Sequence, residues 1–158
     1  MAAMRRTNFA KMPCPIARGL ERVGEWWSIL ILRDVLSGKT RFDQLQDNLG
    51  IAPGMLTRRL NALVKAGLLK RQRYQNRPPR YEYMPTEKAE DFADVLLALT
   101  LWGNKHFSAD GPRVLVTDRE TGALADPILV DRNTGRPMTR GRYKYVAAST
   151  RKPVSSPR

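Results

Sequence analysis

Over residues 51–68, IAPGMLTRRLNALVKAGL, apolar and polar positions separate at helical spacing. At about 100° per residue, Leu56, Leu60, Leu63 and Gly67 share one narrow stripe, with Val64 to its side. Gly54, Arg58, Asn61, Ala62 and Lys65 fall on the far side. Pro53 suits the first helical position and Gly67 the position just past the end. The same periodicity predicts other helices. Residues 15–23 carry an apolar line of Ile16, Leu20 and Val23. Residues 26–36, WWSILILRDVL, are apolar on all sides, which predicts the central buried helix. A short helix over residues 42–49 turns Phe42, Leu45 and Leu49 inward. Thr40 and Asp43 have the spacing of a helix start, and Gly50 is placed to end it. A long helix is expected from Thr86 to Phe107, with Phe92, Val95, Leu96, Leu99, Trp102 and His106 at helical spacing. Glu87, Glu90 and Asp91 lie near its start, where the helix dipole favours them.

Two stretches have strand character, residues 68–75 and 80–84. Asn76-Arg77-Pro78-Pro79 lies between them and is expected to be a stiff tip outside the ladder, since proline donates no ladder hydrogen bond. Two short helices, a glycine turn and a basic second helix make a helix-turn-helix. A basic hairpin directly after it is a wing. Beyond Gly111-Pro112 the sequence changes. RVLVTDRETG and PILVDRNTG each run an apolar stretch into DRxTG, thirteen residues apart. Each reads as a strand entering a glycine turn, and residues 143–147 read as a third strand. The expected fold class is therefore mainly α with a small β-hairpin, a winged helix-turn-helix, plus a small C-terminal β-rich extension. Its parts are a flexible basic arm (1–13), the winged domain with its dimerisation helices (14–107), the extension (108–148) and a disordered tail (149–158).

Charge narrows the function. The 158-residue chain has 28 Lys and Arg against 15 Asp and Glu, a net +13. No acidic residue occurs from position 49 through 81. This balance favours a polyanionic partner, most simply nucleic acid. A helix whose outer face is small residues, Asn and Arg can lie in a DNA major groove. The competing reading of any one charged helix is a solvated face, and the flanking helices and hairpin decide between them. No apolar run approaches the ~20 residues of a membrane span. The N-terminal residues lack the apolar core of a secretory signal, so a cytoplasmic protein is expected. One cysteine, Cys14, forms no internal disulfide. One histidine, His106, and no acidic cluster at ligand spacing leave no metal site, no cofactor and no gathered catalytic set to expect. The apolar face of Val95, Leu99 and Trp102 exceeds what one small domain covers, which predicts a homodimer built on this helix with the first.

In order and spacing, the stretches CPIARGLERVGEWWSILILRDVLSGKTRFDQLQDNLGIAPGMLTRRLNALVKAGLL and RPPRYEYMPTEKAEDF resemble the HxlR-type winged helix-turn-helix regulators, a MarR-like family of bacteria and archaea. The resemblance covers residues 14–107. It implies a homodimeric transcription regulator, often a repressor, bound to double-stranded DNA at a palindromic operator. It implies DNA contacts from Pro53, Gly54, Met55, Thr57, Arg58, Asn61 and Lys65, and wing contacts from Arg77 and Arg80. It places Ile16, Leu20, Val95, Leu99 and Trp102 in the dimer interface. Cys14 stands where redox-responding members carry a sensing thiol, so a redox or small-molecule effector is implied. Ala52 departs from the family's usual serine cap, a loss of ~1 kcal/mol of helix stability. Thr121, Asp131 and Thr134 stand near positions where longer members hold zinc-binding cysteines, so no zinc is expected. A winged helix that binds protein or RNA instead of operator DNA is the alternative.

Overall fold

A computed structural model describes residues 14–146. The basic arm and the tail predicted at the two ends lie outside the described residues. The chain forms two compact units, divided between Gly111 and Pro112. The first unit holds α1 (Pro15–Val23), α2 (Trp26–Leu36), α3 (Phe42–Leu49), α4 (Pro53–Lys65), the antiparallel pair β1 (Leu69–Asn76) and β2 (Pro79–Pro85), α5 (Glu87–Glu90) and α6 (Ala93–His106).

The core is built where the stripes predicted it. Ile31 and Leu32 of α2, Leu45 of α3, and Leu56, Leu60 and Leu63 of α4 are all completely buried. Helix α2 packs against α3, α4, β2 and α6, so it is the central element. Its first residue departs from the expectation of a helix buried all round: Trp26 is 73% exposed. Near its other end the buried Asp34 carboxylate binds Arg33 at 2.7 Å and accepts from Asn48 Nδ2 at 2.6 Å. That hydrogen bond ties α2 to the end of α3 and fixes the angle between them.

The turns follow from local chemistry. Gly50 closes α3 at φ +61°, a left-handed conformation that side chains with a Cβ rarely adopt. Gly67 does the same past α4 at φ +70°. There Leu68 N–H donates to Leu63 O and Gly67 N–H to Val64 O, both at 3.0 Å. This paired closure satisfies carbonyls that the helix end leaves open, and it turns the chain sharply into β1. Thr86 then fastens the base of the hairpin, its hydroxyl donating to Gly67 O and Leu68 O.

Several expectations are corrected. Thr40 does not cap α3. Arg41 takes the cap position, and since arginine has no acceptor, the hydrogen bond runs the other way, from Arg41 N–H to Gln44 Oε1 at 3.1 Å. Thr40 instead holds the wing, its carbonyl accepting from Tyr83 N–H at 2.7 Å. Pro79 is not in the tip: it opens β2 opposite Asn76, where a missing N–H is tolerated at a strand's first residue. The long helix expected from Thr86 is two helices. Phe92 N–H bonds Ala89 O rather than the carbonyl four back, and the tightened turn at Asp91–Phe92 lets fully buried Ala89 and half-buried Phe92 both reach the core.

The second unit has less β structure than expected. It holds β3 (Val130–Asp131), β4 (Arg136–Pro137) and an isolated bridge between Thr117 and Leu124. Residues 143–146 form no strand, and residue 147 lies outside the described set. The repeated DRxTG motifs are real turns, held by side chains. Asp118 Oδ1 accepts from Glu120 N, Thr121 N and Thr121 Oγ1. Asp131 accepts from Asn133 N, Thr134 Oγ1 and Tyr143 OH. These donors hold both carboxyls below their ordinary pKa, Thr121 first for Asp118 and Thr134 first for Asp131. Thr121, Asp131 and Thr134 thus close turns by hydrogen bonding.

Leu60→Ala should lower the stability of the first unit by about 2–5 kcal/mol, because a fully buried leucine leaves a cavity. Denaturant unfolding measures it, and a change within experimental error contradicts the packing described.

Candidate nucleic-acid interface

The buried leucines of α4 decide which residues face outward. With Leu56, Leu60 and Leu63 turned to α2, Pro53, Gly54, Thr57, Arg58 and Asn61 are exposed, and Met55 is half-buried. Pro53 opens the helix, and Ala52 makes no side-chain cap bond. The first turn therefore keeps backbone N–H groups open to an acceptor. Thr57 Oγ1 donates back to Pro53 O at 2.9 Å. Arg58 Nη2 rests on Met55 Sδ at 2.9 Å, which aims the guanidinium toward the N-terminal end of the helix. Arg58 has no carboxylate partner among the described residues, so its charge is free to meet another. Lys65, two turns further on, is also exposed and lines a cavity with Glu21, Arg22 and Arg59.

The hairpin supplies a second basic surface. Arg77 is exposed at its tip, and its carbonyl accepts from Gln75 Nε2. Arg80 lines a hollow of about 440 Å³ with Phe42, Tyr74 and Tyr81 between the wing and α3. Three further arginines here were not among the expected DNA contacts, although Arg71 and Arg73 were read as part of the basic hairpin. Arg71 sits over the Tyr81 ring at 3.5 Å, and Arg73 donates to Tyr81 OH at 3.0 Å. Arg41 lies over Tyr74 at 4.4 Å. Such cation–π contacts hold long side chains extended. The Arg73 hydrogen bond, with the charges of Arg73 and Arg71, holds the Tyr81 hydroxyl below its ordinary pKa. The alternation of Arg71 and Arg73 along β1, with Tyr81 opposite Arg73, was a legible signal for two of the three. Arg41 carries no such signal, because it meets Tyr74 only after the chain folds.

The residues assigned to dimer contact are exposed in the single chain. Ile16 is 66% and Leu20 49% exposed on α1, and Val95, Leu99 and Trp102 are 52%, 44% and 53% exposed on α6. Helix α6 buries none of its residues fully. Trp102 packs edge-on against Phe107 at 4.9 Å between ring centroids. Cys14 is a free, exposed thiol at the cap of α1. A lone exposed thiol does not by itself make a sensor. Among the described residues there is no group of three potential metal ligands and no helix long and apolar enough to cross a membrane.

Comparison with known proteins agrees with this geometry. Residues 22–110 match the model of the HxlR-like helix-turn-helix family. An uncharacterised HTH-type transcriptional regulator of Mycobacterium tuberculosis is 38% identical over 125 residues, 78% of this chain and 79% of that one. A solved candidate transcription factor of Pseudomonas aeruginosa, PA1374, is 50% identical, with a TM-score of 0.63, over 88% of this chain and 95% of that one. A second solved candidate transcription factor, PA1607, is 30% identical, with a TM-score of 0.79, over 89% of this chain and 99% of that one.

Proposed function

Given that the chain belongs to the HxlR-like helix-turn-helix family, and is thus a transcription regulator rather than an enzyme, we propose that it acts as a homodimer on a palindromic operator. Arg58, Asn61 and the Pro53–Thr57 turn of α4 read the major groove, and the wing arginines hold the flanking phosphates. The observation that carries this reading is Arg58: outward on α4, free of any carboxylate partner among the described residues, on a face with no negative charge. Arginine pairs most often with the O6 and N7 edge of guanine. Arg77, at the tip, meets backbone, which carries no sequence information. Repression is the direction that the family resemblance implies. A winged module for RNA or protein has no observation in its favour over this one: the outward face of α4 fits a major groove, and side chains cannot enter the deep, narrow one of A-form RNA.

Arg58→Ala should weaken the specific site by about 1–3 kcal/mol and relax its specificity. Arg77→Ala should weaken specific and random duplexes alike and flatten the dependence on salt. Fluorescence anisotropy over a salt series separates the two, and equal losses on specific and random duplex for Arg58→Ala contradict the assignment.

The exposed apolar faces of α1 and α6 support the dimer. Leu99→Glu should give a folded monomer, since Leu99 lies outside the core. Its operator affinity should fall, because the two half-sites are no longer bound together. Analytical ultracentrifugation tests this, and a wild type that is monomeric at micromolar concentration contradicts it.

A further inference from the structure

The second unit carries a basic surface of its own. No acidic residue occurs from position 132 through 158, a stretch that holds Arg132, Arg136, Arg140, Arg142 and Lys144. These side chains are exposed, and none has a carboxylate partner among the described residues. A run of charge is usually a solvated face. Here it borders apolar and aromatic surface. Met138 N–H donates to Leu129 O at 2.8 Å, next to the β3–β4 pair. Thr139 O then accepts from Arg142 N–H and Tyr143 N–H, at 3.0 and 3.3 Å, so the chain turns back. Tyr143 OH donates to Asp131 Oδ2 at 3.4 Å and fastens the returning segment to the hairpin. Asp131 also accepts from Asn133 and Thr134, which holds its charge in the turn. A cavity of about 500 Å³ lies there, lined by Leu129, Met138, Arg140, Tyr143, Lys144 and Tyr145. Tyr145 is fully exposed.

We infer that this surface binds single-stranded DNA, with one base stacked on the Tyr145 ring and the neighbouring phosphates met by Arg140, Arg142 and Lys144. Proteins that hold single strands combine a basic groove with aromatic side chains on which bases stack. Both parts are present in one short segment here, the cations alternating with Tyr143 and Tyr145. A duplex keeps its bases stacked on one another and offers no free base face to a tyrosine. Phosphates alone would need the cations and not the apolar wall of Leu129 and Met138.

That wall also selects the strand. Thymine brings a C5 methyl group to it, and apolar side chains are the partners of that methyl in DNA recognition. A ribose 2′-hydroxyl held against apolar side chains loses water without gaining a hydrogen bond, which is costly. The surface therefore favours DNA over RNA, and thymine-rich strands among DNA. It lies outside residues 22–110, which match the family model, and it stands independently of how α4 and the wing meet an operator.

The test titrates the full-length protein into short labelled oligo(dT) and follows anisotropy, with oligo(rU), an abasic oligodeoxynucleotide of equal length and a random duplex as comparisons. Wild type should bind oligo(dT) more tightly than oligo(rU) or the abasic strand. Tyr145→Ala should weaken oligo(dT) binding about fivefold or more, the scale of one lost base stack. Tyr145→Phe, which keeps the ring, should bind as wild type does. Neither change should alter duplex affinity, and since Tyr145 is fully exposed, neither should unfold the protein. Arg140→Gln with Lys144→Gln should flatten the dependence of oligo(dT) binding on salt. Five results overturn the proposal: no binding of oligo(dT), equal binding of the abasic strand or of oligo(rU), full binding by Tyr145→Ala, no rescue by Tyr145→Phe, or an unchanged salt dependence in the double variant. An equal loss on duplex in Tyr145→Ala overturns it too, by making the surface a duplex contact.

Discussion

The burial of Leu56, Leu60 and Leu63 against α2 is the constraint on which the rest of the first unit depends. Three leucines on one stripe allow one rotation of α4 about its axis, because any other exposes them to water. Each is completely buried, and hiding a leucine side chain is worth about 1.5–3 kcal/mol. That rotation turns Thr57, Arg58 and Asn61 outward together. The glycine at φ +70° then ends the helix and sends the chain into the hairpin. So the same packing that stabilises the domain aims its basic face, and the wing stands beside that face because Gly67 and Thr86 fasten its base to the end of α4.

Electrostatics adds to the surface, since no acidic residue occurs from position 49 through 81. Three carboxylates of the first unit have partners elsewhere: Asp34 in Arg33 and Asn48, Glu25 in Arg59, Glu82 in Thr40. None of these three reaches Arg58. On the wing, tyrosine rings do for Arg71, Arg73 and Arg41 what carboxylates would do elsewhere, but without neutralising them. A ring face orders a guanidinium and leaves its charge available to phosphate.

The limits of Ile16's helix, of the Trp26 helix and of the Phe42 helix were readable from the sequence, as was the leucine stripe. These depend on periodicity and on local glycine and proline chemistry, which act within a few residues. What was not readable depends on contacts between segments distant in sequence. Thr40 has the local spacing of a cap, yet its carbonyl is taken by Tyr83, forty-three positions on. The break at Asp91–Phe92 has no glycine or proline to announce it and follows from Ala89 and Phe92 both reaching the core. The apolar triplets of the second unit look like strands, but Asp118 and Asp131 spend their hydrogen bonds on closing turns, which leaves little ladder. In the candidate site, Arg58 was legible from its place opposite the stripe. Arg41 was not, because its partner ring lies on the wing.

The central claim, that α4 is a reading helix presented twice by a dimer, is tested most directly by selection. Random genomic fragments retained by the purified protein can be sequenced after washing at moderate salt. The account predicts that the enriched fragments share an inverted repeat whose half-site centres lie about one helical turn, ~34–36 Å, or a multiple of it apart. Enrichment with no common motif, or of single unpaired half-sites, contradicts it.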